Sequence, residues 1–185
     1  MKTLRSLRIA AVFLTTLAGR AAAQQPPVFV ADLLDDVHQV EDKLVALAQA
    51  MPADMYDWRP ADGIRSVGEV FKHVASDNYL LTIPLGVAAP EDTGIRIESY
   101  PTTVAFEKRT MTKEQTITEL KRSFANLESA MTKMDDARAD GSVAVFGMTM
   151  TQRRLMVMTT THLHEHLGQS IAYARSNGVV PPWSR

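Results

Sequence analysis

Thirteen residues near the C-terminus, Thr161–Tyr173 (T-H-L-H-E-H-L-G-Q-S-I-A-Y), restrict the fold more than any other stretch. His162 and His166 are four residues apart, which on a helix places them about 40° apart on one face, with His164 turned about 200° from His162. Continuing that face gives Leu155, Met158, His162, His166, Gln169 and Tyr173, at spacings of three and four. The two imidazoles therefore fall on the stripe that a helix turns towards its core. Two inward imidazoles one turn apart are costly to bury without partners. A divalent metal is one such partner, because neutral imidazole is a standard nitrogen ligand; ordinary core hydrogen bonds are the alternative.

The rest of the chain supplies helices to pack against this face. Val30, Leu33, Leu34, Val37, Val40, Leu44 and Leu47 carry a helical period that ends near Met51-Pro52. A connection rich in turn residues follows to Arg65. Ser66 with Glu69 three residues on forms a capping box for a second helix, which Pro84 ends. Its stripe of Val70, His73, Asp77 and Leu80 turns His73 inward. Thr112 with Gln115 is a second capping box, opening a third helix whose Ile117, Leu120, Phe124, Leu127, Met131 and Met134 repeat in bundle fashion. Residues 86–111 form the longest irregular stretch, and loops of that length are usually functional or mobile. Residues 135–141 read as a polar turn and 142–150 as a short strand or extended segment. Thr149 or Thr151 caps the last helix, which runs to Asn177, where Gly178 supplies a left-handed cap and Pro181-Pro182 forbid continuation. The expectation is an all-α four-helix bundle with one long crossover connection. Gly68 and Gly168 fall inside helices, each costing roughly 1 kcal/mol against alanine; close backbone approach is one reason for Gly168, drift the other.

Composition narrows the function. The chain has 185 residues and no cysteine, which removes disulfides, thiolate metal sites, cysteine nucleophiles and a lipoprotein anchor. Residues 1–23 read as a signal peptide: a basic start (Lys2, Arg5, Arg8), an apolar run Ile9–Gly19 too short to span a bilayer, and a cleavage site at Ala21-Ala22-Ala23. The expected product is exported, periplasmic or secreted, with residues 24–27 as a linker and 28–185 as one domain. Without the four basic residues of the leader (Lys2, Arg5, Arg8, Arg20), 16 basic face 21 acidic residues, a net charge of −5. No basic run survives, so nucleic acid is not an expected partner, and after cleavage neither is a membrane.

His73 is the third ligand candidate: besides His38 it is the only histidine outside the cluster, and it faces inward from the second helix. Three histidines leave a coordination position open, the pattern of a catalytic site, and bundle cores are a usual place for such ions. Asp77, one turn after His73, is a candidate second-shell carboxylate that orients that imidazole. His164 is expected at the solvent or a subunit contact, His38 at the periphery, and Glu165 off the ligand face. Met148, Met150, Met156 and Met158 lie near the histidines; thioethers with imidazole suit copper, but methionine is more often core filler.

Two separated motifs resemble the DinB/YfiT-like family. Tyr56-Asp57-Trp58-Arg59-Pro60, then Arg65-Ser66-Val67-Gly68-Glu69-Val70 leading to His73, is similar to that family's entry into its second helix. His162, His166, Gly168-Gln169, Tyr173, Arg175, Asn177-Gly178 and Pro181-Pro182 are similar to its C-terminal pattern. The resemblance implies a four-helix bundle, usually a homodimer, that binds a divalent metal, zinc or nickel, through His73, His162 and His166. Relatives include S-transferases using bacillithiol, mycothiol or glutathione and proteins treated as metal-dependent hydrolases. The signal peptide departs from that pattern, since such thiols are mainly cytosolic.

Three readings stay open at this level. The first is a metal-dependent hydrolase or transferase acting on a small-molecule substrate, its acid/base unassigned, with Asp77, Tyr79 and Tyr173 as candidates. The second is a non-catalytic exported metal-binding or stress protein. The third is a plain helical interaction module with histidines in its core.

Overall fold

The computed structural model describes residues 27–184. The expected signal peptide, residues 1–23, and residues 24–26 of the linker lie outside the described residues. Four long helices form the bundle: α1 (Val28–Ala50), α2 (Val67–Thr82), α4 (Lys113–Met131) and α6 (Gln152–Ser176), with two short helices, α3 (Pro101–Glu107) and α5 (Asp136–Ala139), in the connections. Helix α2 packs most extensively on α4, α1 on α6 and α4, and α2 also touches α3 and α6. No described helix is long and apolar enough to cross a membrane.

The ends of the long helices follow from local chemistry. Both capping boxes form: Ser66 and Glu69 exchange side-chain and backbone hydrogen bonds at 2.7 and 3.3 Å, and Thr112 and Gln115 at 2.8 and 3.2 Å. The Thr151 hydroxyl caps α6 by accepting from Arg154 N–H at 3.1 Å. At the other end, Gly178 adopts φ 71°, and the N–H groups of Gly178 and Val179 reach back to Arg175 and Ala174 carbonyls at 3.0 and 2.9 Å. Those two bonds make a Schellman motif.

The main core joins α1, α2, α4 and α6 through residues such as Val37, Leu44, Val70, Phe71, Val74, Leu120, Phe124, Leu127, Leu155 and Leu163. The stretch 86–111 is more ordered than its composition suggests. It contains a 3-10 turn (Glu91–Thr93) and α3, started by Pro101 at its first turn. Its Ile95 and Phe106 close a second, smaller core with Ala75, Tyr79 and Leu80 on the outer face of α2. Arg109 ties it down by donating to the Asp92 and Thr93 carbonyls at 3.0 and 2.6 Å. Likewise the polar turn 135–141 holds α5, capped by Asp135 accepting from Arg138 N–H at 2.8 Å.

Residues 142–151 resolve into a hairpin. β1 (Ser142–Val145) pairs antiparallel with β2 (Met148–Thr151), Val145 opposite Met148, so Phe146-Gly147 is a two-residue turn. Both turn residues have positive φ, 54° and 73°, as a type I′ turn requires.

The buried face of α6 is rotated from the expected stripe. Leu155, Thr159, Leu163, His166, Ser170, Tyr173 and Ala174 are buried, whereas Met158, His162 and Gln169 are only half-buried. The apolar centre is Leu163, so His166 faces inward and His162 stands at the margin. Two polar rings on the mid-line of the core would displace apolar contacts; at the margin they border a cavity instead.

Candidate metal centre

Two helices bring three imidazoles together. His73 comes from the middle of α2 and His162 and His166 from α6. One nitrogen from each lies within 4.8 Å of the other two. Ring centroids are 4.4 Å apart for His162 and His166, 4.5 Å for His73 and His166, and 5.3 Å for His73 and His162. The Nε2 atoms of His162 and His166 are 3.0 Å apart. All three candidate ligands therefore converge, as α2 packing on α6 dictates.

Each ring's other nitrogen decides what Nε2 can do. Glu107 Oε1 lies 2.7 Å from His73 Nδ1, and Arg65 clasps the same carboxylate at 2.7 and 3.3 Å. Burial opposes the charge on Glu107, but hydrogen bonds from His73 and Arg65 outweigh it and hold its pKa below the usual value. An ionised carboxylate accepts, so His73 donates Nδ1–H and keeps a lone pair on Nε2. His166 Nδ1 lies 2.8 Å from Gln169 Oε1; the Gln169 amide donates to Tyr173 Oη at 3.0 Å, and Tyr173 donates to the Arg65 carbonyl at 3.3 Å. That chain fixes the Gln169 oxygen as acceptor, so His166 also keeps a lone pair on Nε2. A lone pair facing another imidazole at 3.0 Å needs a proton or a cation between them.

Burial favours the neutral form of His162 and His166. It pushes the His162 pKa down to about 3, with the neighbouring His166, His73 and Arg65 adding to the shift. His166 is also lowered, first by burial, although Gln169 opposes the change. Metal ligation requires this form. Two imidazoles on a four-coordinate ion with bonds of 2.0–2.1 Å stand about 3.3 Å apart. The 3.0 Å separation of the His162 and His166 Nε2 atoms is close to that value, and all three donors suit such an ion in type.

Asp77 faces the same edge. Its Oδ2 is 3.3 Å from His162 Nε2 and 3.7 Å from His73 Nε2. Burial raises its pKa, with Glu107 adding to the rise and His73 and Arg65 opposing it. It approaches the Nε2 side of His73, while Glu107 holds Nδ1. The residue that orients His73 through Nδ1 is thus Glu107, which sequence reasoning missed; Arg65, Gln169 and Tyr173 join it in the supporting network. Glu107 ends a seven-residue helix inside the long connection, where no periodicity marks it.

The other candidates separate cleanly. Tyr79 is fully buried and donates to Glu119 at 3.2 Å, turned away from the histidines towards α4. It therefore offers no acid/base group to the centre. Tyr173 has its hydroxyl engaged by Gln169 and Arg65. His164 is exposed and meets Asp36 at 2.9 Å, and His38 is peripheral, 3.3 Å from Glu128. Met148 is exposed and Met156 is buried in the core. Glu165 is exposed on α6 but lines the mouth of a cavity of about 480 Å³ that the histidines border.

Comparison with known proteins identifies the family to which this fold belongs. The DinB superfamily profile matches residues 36–170. The chain belongs to the DinB superfamily. Among solved structures, YfiT from Bacillus subtilis, described as a probable metal-dependent hydrolase with an unusual four-helix bundle topology, matches with a TM-score of 0.66 at 16% identity. That match covers 82% of this chain and 89% of YfiT. A DinB-like protein from Bacillus cereus matches with a TM-score of 0.64 at 14% identity, over 83% of this chain and 93% of the other. A second DinB-like protein from Bacillus subtilis has a TM-score of 0.61 at 18% identity, covering 80% and 93%. At such identities these likenesses show a shared fold. No curated protein sequence matches this chain.

Proposed function

We propose that this DinB-superfamily protein is an exported metal-dependent hydrolase of a small molecule, holding one divalent ion, zinc or nickel, through His73, His162 and His166. The observation that carries the proposal is the convergence of three imidazoles on one point, with the His73 and His166 Nδ1 atoms already committed to Glu107 and Gln169. A divalent ion held there would polarise a substrate oxygen and activate a water. The chain's own residues do the rest. Glu107 and Gln169 fix tautomers and ring planes, and Arg65 keeps Glu107 ionised. Asp77 Oδ2 lies beside the Nε2 edges and is the base placed to accept a proton there. The bordering cavity gives access for substrate. Export follows from the leader, and homodimerisation is proposed from the family resemblance.

The test is elemental analysis of the chain purified without a histidine tag. One metal per chain is expected, lost together in His73→Ala, His162→Ala and His166→Ala. Full metal retention by the His162→Ala protein would overturn the ligand assignment. The cobalt form should then show a coordination position that exchanges with small anions, and the metal form should turn over simple esters or amides. A coordinatively closed cobalt spectrum would favour a non-catalytic metal-binding protein instead.

A further inference from the structure

Two exposed aromatic side chains from elements far apart in sequence meet at the mouth of the histidine cavity. Tyr100, at the N-terminus of α3, and Phe146, at the tip of the β1–β2 hairpin, are 46% and 51% exposed. Their rings stand edge to face with centroids 6.2 Å apart. Both line the cavity bordered by His73, His162, His166 and Asp77. Three aromatic residues appear among the exposed large hydrophobics of the described chain, Tyr100, Phe146 and Trp183, and two of them converge here.

Phe146 stands against local preference. It is the one non-glycine residue with positive φ among the described residues. The first position of a type I′ turn favours asparagine, aspartate or glycine, and a bulky side chain there is strained. A solvent-exposed phenyl ring adds no core burial in exchange. Strain and exposure at the rim of a reactive centre fit a contact made with something absent from the free chain.

We infer that Tyr100 and Phe146 form an aromatic clamp, and that the substrate carries a flat apolar ring next to the group that reaches the histidines. This rests on the metal reading proposed above and deepens it by naming the substrate class. The hairpin and α3 bring the two rings together edge to face beside the cavity, so a planar group entering it packs against this aromatic pair. Offset and edge-to-face packing of that kind adds affinity beyond simple burial.

Two hydroxamates with the same metal-binding head test the clamp. Benzohydroxamate and acetohydroxamate are titrated calorimetrically into the metal-loaded chain and into its Phe146→Asn and Tyr100→Ser variants. In the parent, benzohydroxamate should bind about 10-fold more tightly or better, an aromatic-contact effect of ordinary size. In Phe146→Asn the preference should fall to about 3-fold or less, with metal content and acetohydroxamate affinity unchanged. Asparagine suits the turn, so this variant should melt at or above the parent temperature, and misfolding would not explain a loss. Equal preference in parent and variants, with metal bound, would overturn the clamp and leave the metal centre standing. A parent chain that takes up no metal would overturn the metal reading and the clamp with it.

Discussion

At the scale of single residues, the centre depends on side chains that never reach the cluster's central point. Glu107 accepts from His73 Nδ1 at 2.7 Å and is held ionised by Arg65. Glu107→Gln keeps the shape but removes the charge that fixes the imidazole tautomer. Metal affinity, measured by competition with a chromophoric chelator, should fall about 10- to 100-fold; an unchanged affinity would show that His73 needs no such partner. Acid sensitivity of the metal-free chain is also a single-residue matter. His162 has a folded pKa of about 3 against 6.5 when exposed. As pH falls below 6.5 the unfolded chain takes up this proton first, so His162 makes the fold lose stability between pH 6.5 and 3. By pH 5 the loss from this residue is roughly 2 kcal/mol. Denaturant titrations of metal-free His162→Gln should therefore show a shallower decline in stability from pH 7 to pH 5 than the parent. Parallel declines would mean that the ring is solvated in solution.

At the scale of elements, the two helical glycines part company. An added Cβ at Gly68 would stand 3.1 Å from the Tyr56 ring and 3.2 Å from its carbonyl, which Gly68 N–H already engages. At Gly168 it would meet nothing within 4 Å, so the close-approach reason considered for that position does not apply. Gly168→Ala should stabilise the protein by about 1 kcal/mol in chemical denaturation, and Gly68→Ala should not. Equal effects would mean that the loop 51–66 does not hold α2 as tightly as its contacts suggest. The same contrast explains what could be read in advance. Capping boxes, the apolar periods of α1, α2 and α4, and the Gly178 stop are local signals, and they appear in the structure at the expected residues. His73, His162 and His166 were legible because helical spacing turns a sequence pattern into a face. Glu107 was not: it meets His73 only because α3 folds back over α2, 34 positions along the chain. The rotation of the α6 stripe onto Leu163 was equally hidden, since helical spacing alone fits an apolar face centred on either side of His162.

At the scale of the whole molecule, the centre lies on a seam. Helix α2 packs broadly on α4, and α1 on α6, but α2 meets α6 over a smaller contact. That seam carries His73, Asp77 and His166, all buried. Polar groups at such a contact give up apolar packing and depend on complete pairing for their stability. A metal bound by ligands from both helices, as proposed above, would join them across this seam. Such an ion would bind the folded chain far better than the unfolded one, because the three nitrogens converge only when α2 and α6 are docked. At a free metal concentration 100 times the dissociation constant the gain is about 2.7 kcal/mol. For a chain of this size that corresponds to a rise of roughly 5–10 °C in melting temperature. His73→Leu should abolish the response by removing the only ligand from α2, even though leucine can pack in the seam and keep the metal-free protein folded. A melting temperature that still climbs with metal in His73→Leu would overturn the role of His73 as a required ligand and leave Asp77, 3.3 Å from His162 Nε2, as the donor from α2.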